Sequence, residues 1–398
     1  MGNFLFTILG FALGWGCEKL FDNIFNRISL TYRIRKLRKK LKERVNSNSL
    51  TPNLTTIGEG LPYFDISTQP EQVSLTDEKF LLSFSSEDSL PINTDKDKWL
   101  SDCGPKEIAE ALSNCGPKEI AEAFNVNNFL TILEECRKEV IDSFLHSKEG
   151  CYFNNKLYGV LYSDGFGRTP DERESPVLTL RFFETDYFTH RVMGKVTEKL
   201  REKDFLPSSN LELNQLNNTF RCFRTSLGIS IIIIIPDTNE IILTRRSVYS
   251  AYSNGIAWIY VSVTETISET DYDCFMGMRI LNIKRWIKRA LFEEIGLKEK
   301  HYDENSIKVY DMFFENNFYQ DGITASVKLR KGVNMSNVKE LKAKDKQMEV
   351  KEIFAIENTT TSIKDYISKY SNEMREQTIY TLQSYATRLD CFQNEYVD

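Results

Sequence analysis

Glu293 and Glu294 are adjacent carboxylates in Arg289-Ala-Leu-Phe-Glu-Glu-Ile-Gly-Leu297, four and five positions after an arginine. On a helix, residues i and i+4 share a face, so Arg289 and Glu293 can form an ion pair across one turn. Paired carboxylates on a helix are also the donor set that a hard cation such as magnesium takes, with phosphate oxygens completing its shell. Upstream, Arg245 and Arg246 offer two guanidinium forks at the end of an apolar segment. Strand side chains alternate, so at most one of the two points into any cleft. Trp258, Ser262 and Glu265 follow in Trp258-Ile-Tyr-Val-Ser-Val-Thr-Glu265, and with Arg245, Arg246 and Arg289 they make the candidate ligand-binding set. His146, His190 and His301 have no neighbouring Cys or carboxylate at zinc-ligand spacing and receive no role. Eight cysteines form no C-x-x-C pair and read as reduced cytosolic thiols.

The elements that must position these residues are legible. Leu227-Gly-Ile-Ser-Ile-Ile-Ile-Ile-Ile235 reads as a strand buried on both faces. The Pro236-Asp-Thr-Asn239 turn then returns the chain as a hairpin into Ile241–Ser247. Gly296 suits the C-terminal cap of the helix that carries Arg289. Earlier, Val177–Phe183 reads as a strand. Residues 128–145 read as a helix, with Phe129, Ile132, Leu133, Cys136, Val140, Ile141 and Phe144 on one stripe.

The N-terminal part is of another kind. Phe4 to Cys17 is a nearly continuous apolar run without charge, short for a span unless Leu20, Phe21, Ile24 and Phe25 extend it. Charge follows the run and no small-residue cleavage site is present, which argues against a secretory signal. Residues 27–44 hold nine basic side chains and one acidic, against a whole-chain charge of −6, so the remainder stands at −14 and a global nucleic-acid footprint is absent. The basic stretch reads either as a juxtamembrane segment attracted to anionic lipid or as a nucleic-acid-binding arm. With the apolar run beside it, lipid is the expectation, and the positive-inside rule places the rest of the chain in the cytosol. Gly10 and Gly14 form a G-x-x-x-G spacing that lets membrane helices approach closely. Residues 46–126 are rich in Ser, Thr, Asn and Asp and read as a linker, with Tyr63, Phe64 and Phe80 to Phe84 as docking hydrophobes. Within it, Cys103–Asn114 is repeated almost unchanged as Cys115–Val126.

The long apolar strand, the strand ending in Arg-Arg-Ser, the tryptophan strand and R-x-L-x-E-E-x-G-L together resemble the Nudix hydrolase family. Its box runs G-x5-E-x7-R-E-U-x-E-E-x-G-U, with U a bulky aliphatic residue. The resemblance extends to Asp345–Phe354, similar to a late strand of that fold. It implies an α/β (α+β) fold, a Nudix-like mixed-sheet α/β/α sandwich, here behind an N-terminal transmembrane helix and basic stalk. The implied organisation is 1–26 transmembrane, 27–45 basic amphipathic helix, 46–126 linker, 127–223 N-terminal part of the cytosolic domain and 224–390 Nudix-like domain. Ala290 stands where the family carries a further glutamate, Ser262-Val263 where it has a Gly-Gly turn, and Glu269 aligns with its first glutamate only across about 12 inserted residues. These departures lean against an enzyme. The whole resembles transmembrane-Nudix effectors of bacterial cyclic-oligonucleotide antiphage signalling. That implies a single-pass inner-membrane protein that contacts lipid, binds a nucleotide second messenger, self-associates and disrupts the membrane, with no resident cofactor and no stable nucleic-acid partner. The alternative is a tethered phosphohydrolase of a nucleoside diphosphate derivative, with magnesium on Glu293 and Glu294.

Overall fold

The computed structural model describes residues 54–58, 63–64, 66, 73–79, 132–143 (save 134 and 142), 156–166, 177–202, 211–217, 220–247, 257–343 and 350–391. The apolar run with Gly10 and Gly14, the basic segment, the duplicated dodecapeptide and Asp345 to Glu349 lie outside them. Among the described residues no helix is long and apolar enough to cross a membrane.

Among the described residues the chain is mixed α/β with two mixed sheets. Its strands are β1 (Leu54–Ile57), β2 (Val73–Lys79), β3 (Lys156–Phe166), β4 (Val177–Asp186), β5 (Leu227–Ile235), β6 (Glu240–Arg246), β7 (Ile259–Val261), β8 (Val263–Thr266), β9 (Tyr272–Phe275), β10 (Met278–Leu281), β11 (Tyr302–Glu315), β12 (Gln320–Leu329) and β13 (Val350–Glu357). Its helices include α1 (Tyr187–Glu202), α2 (Leu213–Asn217), α3 (Ile283–Ile295), α4 (Met335–Glu340), α5 (Thr360–Tyr370) and α6 (Glu376–Cys391). The larger sheet runs β1-β11-β12-β5-β6-β13, with β7 on β6 and β8 on β5; the smaller runs β3-β4-β2-β10-β9.

The isoleucine run works by period two. Leu227, Ile229, Ile231, Ile233 and Ile235 enter a core shared with Trp286, Ile287 and Leu291 of α3 and with Val160, Leu180 and Phe182 of the smaller sheet. Ile232 and Ile234 face the other way, onto Ile363 and Ile367 of α5 and Leu382, Tyr385 and Ala386 of α6. The expected hairpin is present, with Ile235 opposite Glu240 across the Pro236–Asn239 turn. Residues 132–143 are helical where described, and Ile132, Leu133, Cys136 and Val140 pack with Phe188, Val192 and Val196 of α1.

The segment read from composition as linker departs from that reading. β1 pairs antiparallel with β11, Leu54 opposite Glu315, and β2 lies between β4 and β10 as an inner strand of the smaller sheet. Phe64 docks as anticipated, 2% exposed with its N–H on Val309 O at 2.7 Å, whereas Tyr63 stays 40% exposed. Thr76 Oγ1 donates to Phe182 O at 2.7 Å, and Arg388 of α6 donates to Gly58 O at 3.2 Å. Hydrogen bonding from neighbours on both sides, rather than its own composition, makes β2 a strand.

Candidate functional site

α3 carries the centre of the site and has well-defined ends. The Asn282 side chain accepts from Arg285 N at 3.0 Å as the N-cap. Gly296 takes φ 88° and passes its N–H back to Phe292 O, as expected of a left-handed C-cap. A side chain there would also strike Lys342 O at 2.5 Å. Between the caps Trp286, Ile287, Ala290, Leu291, Glu294 and Ile295 are buried.

Arg289 is engaged through all three guanidinium nitrogens. Nε and Nη2 grip both oxygens of Asp271 at 3.0 and 2.9 Å, Nη2 also donates to Thr266 O at 2.6 Å, and Nη1 reaches Glu293 at 2.8 Å and Glu265 at 3.4 Å. Asp271 is fully buried and accepts in addition from Ser268 N at 2.8 Å, in a capping box that starts the short helical turn Glu269–Asp271. Burial alone would lower the Arg289 pKa, but the bonds it donates to Asp271 and the charge of Glu265 outweigh it and hold the guanidinium above its ordinary value. One turn along, Glu294 faces a different arginine. Its carboxylate lies 3.1 Å from Arg246 Nη1, both side chains below a tenth exposed, while Arg246 Nη2 donates to Thr264 Oγ1 at 2.9 Å and the guanidinium lies over the Tyr260 ring.

The structure therefore brings together Arg246, Glu265, Arg289, Glu293 and Glu294. Trp258 is adjacent through its backbone, its carbonyl accepting from Arg246 N at 2.8 Å. Arg245 projects to the opposite face, as strand alternation requires, and pairs with Glu373 at 2.6 Å. Ser262 differs from the ligand-facing position expected of it. β5 and β6 pair only next to their turn and then diverge, β8 continuing along β5 and β7 along β6. At this fork Ser262 Oγ accepts from Ile233 N at 2.8 Å and donates to Ile242 O, with the residue 1% exposed. A polar side chain thus supplies the two hydrogen bonds that the separating strands cannot give each other.

Asp271 is the residue that sequence reasoning missed. Glu269, the position aligned with the family's first glutamate, instead points outward to Arg279 at 3.2 Å and Lys156 at 3.6 Å. The β9–β10 hairpin occupies most of the interval between Asp271 and α3, so the partner of Arg289 lies 18 residues away in sequence with an extra element between. The Ser268-x-x-Asp271 spacing was the one available signal.

Chemically, this is a set of carboxylates already neutralised by arginines. Magnesium on Glu293 and Glu294 would have to displace both guanidiniums and leave Arg246 buried without its carboxylate, so the donor set does not fit that ion as it stands. Arg289, with each nitrogen occupied, is likewise not poised to clamp a phosphate.

No family model and no curated protein matches the chain. Among solved structures, the crystal structure of DR0079 from Deinococcus radiodurans aligns with 42% of this chain and 83% of its own at 7% identity and a TM-score of 0.28. A superposition of that quality does not establish a shared fold.

Proposed function

We propose that this chain is a membrane-anchored effector whose folded unit is a degenerate Nudix-like domain that senses a nucleotide second messenger of the cyclic-oligonucleotide kind. Binding drives self-association of the chain, gathers its apolar N-terminal segments and disrupts the membrane. The observation that supports a sensor over a hydrolase is the mutual saturation of the box residues: Arg289 is closed by Asp271, Thr266, Glu293 and Glu265, and Glu294 by Arg246. Ala290, at the position where the family has a further glutamate, is fully buried beside Trp286 and Leu291 and supplies neither a base nor a metal ligand. A ligand must bind the assembled state better than the resting one, since equal affinity shifts nothing.

The test is a panel of cyclic and linear nucleotides with the purified protein, read by thermal stabilisation and by product analysis with and without magnesium. Stabilisation by a cyclic oligonucleotide that is recovered intact supports the sensor. Magnesium-dependent turnover, lost in Glu294→Gln, would instead establish the phosphohydrolase.

A further inference from the structure

We infer that the β11–β12 turn is the face by which the folded unit rests on an anionic lipid surface, an inference that builds on the membrane-anchor reading above. It follows from where β1 begins. Composition suggests a tether of some eighty residues, but β1 is already hydrogen-bonded to β11 from Leu54 onward. Only residues 46–53 separate it from the basic segment that ends at residue 45. Fully extended, that stretch reaches about 30 Å. Leu54 therefore lies within about that distance of residue 45, where the basic segment ends.

The register gives the direction. β1 and β11 are antiparallel with Leu54 opposite Glu315, so the chain enters at the end of β11 where the Asn316–Tyr319 turn begins. Leu54 is fixed there, packed with Phe313 and Tyr380, and Arg388 holds the other end of the strand at Gly58 O. The turn presents one aromatic ring, with arginines from two other parts of the chain beside it. Phe318 is 50% exposed at its tip, with the Arg375 guanidinium 4.3 Å from its ring centre. Arg201, at the exposed end of α1, donates to the carbonyls of Asn316 and Asn317. The half-exposed Phe318 ring with the exposed Arg201 beside it suits the headgroup boundary, where the ring enters the apolar edge and that cation stays with the phosphates, while Arg375, 9% exposed and 3.4 Å from Glu315, backs the ring from within. Tyr319, at φ 52°, turns back into the protein among Phe220, Phe223 and Phe314, which leaves Phe318 as the outward ring.

The opposite end of the same sheet provides a built-in control. β12 and β5 run parallel and in register from Asp321/Leu227 to Lys328/Ile234, so the Pro236–Asn239 turn lies about 30 Å from Phe318 along the strands. The full-length protein is reconstituted into vesicles containing anionic lipid with brominated acyl chains, as Phe318→Trp and separately as Thr238→Trp. Tryptophan emission is compared with that of the parent chain, and carbonate extraction is run in parallel. The expected result is emission loss beyond the parent for the tryptophan at 318 and none for that at 238, in vesicles that retain the protein after carbonate. Equal quenching at both positions overturns the orientation. Absence of added quenching at 318 in carbonate-resistant protein overturns the docking face and leaves the anchor standing. Release by carbonate removes the anchor, and the docking face with it.

Discussion

Replacing Arg289 by alanine tests whether the centre of the site is an internal lock. Asp271 is wholly buried and receives two charge-assisted bonds from Arg289, so the alanine variant leaves a buried carboxyl group with only the Ser268 N–H. Breaking a buried pair from one side costs about 3–5 kcal/mol, a large share of the roughly 5–15 kcal/mol that holds a domain folded. Asp271→Asn should cost less, about 1–3 kcal/mol. The amide still offers an oxygen to Ser268, and Arg289 keeps Glu293, Glu265 and Thr266 O. Combined, the two changes should cost less than their sum, with a coupling of about 1–3 kcal/mol. Urea unfolding of the four proteins at one pH supplies the cycle, with a constant denaturant slope as the check on two-state behaviour. If Arg289→Ala costs under about 1 kcal/mol and the changes are additive, the pair behaves like an exposed one. The case for a saturated, non-catalytic centre would then fall with it.

Glu315 is fully buried, and burial, only partly offset by Arg375 at 3.4 Å, pushes its carboxyl from the ordinary 4.5 up to about 7. The folded state therefore holds a proton that the unfolded chain releases earlier. The associated stability is complete below about pH 4.5 and is lost as pH rises through 7, by up to about 3 kcal/mol. Glu315→Gln should flatten the urea midpoint between pH 5 and 8 and exceed the parent at pH 8; parallel decline of both proteins would contradict this. Ser262→Ala leaves the Ile233 N–H and Ile242 carbonyl without partners at the strand fork and should cost about 2–3 kcal/mol in the same assay, with a neutral result showing that the fork closes by itself. Ala290→Glu puts a carboxylate into the cluster of Trp286, Ile287 and Leu291, and should lower the melting temperature without producing magnesium-dependent hydrolysis. Turnover by that variant would mean the site is one residue from an enzyme.

How far the sequence could be read depended on how local each determinant is. The Leu227–Ile235 strand and its turn are specified by neighbours in the chain, and so is α3, whose cap residues Asn282 and Gly296 bracket an apolar stripe. Arg245 and Arg246 diverge as alternation alone demands. β1 and β2 were not legible as strands because Leu-Thr-Thr-Ile and Val-Ser-Leu-Thr-Asp-Glu-Lys are short and half polar. Their conformation is imposed by β11, β4 and β10, which are remote in sequence. Asp271 was hidden for the same reason. Ser262 was noticed as the absence of glycine, but its role depends on two strands diverging, a property of topology that no spacing rule contains.

Topology also ties the site to the N-terminal strands. β9 begins immediately after Asp271, and β10 ends at Leu281, next to the Asn282 that caps α3. That hairpin joins the smaller sheet through β2, with Ile280 opposite Ser74, while the far side of β2 pairs parallel with β4. β10, which links Asp271 through β9 to the start of α3, therefore shares a hydrogen-bonded border with β2, a strand from the N-terminal segment. A ligand that altered the Asp271–Arg289 contact would act on the border of β2 without any intervening mobile link. For a sensor this matters because packed interfaces switch between discrete arrangements and do not deform continuously. β1, by contrast, is held on the larger sheet by β11 and Arg388, beyond the reach of the hairpin. The N-terminal strands are thus divided, β1 on the larger sheet and β2 beside the β9–β10 hairpin, so in the proposed sensor a ligand-driven shift of that hairpin would move β2 relative to β1.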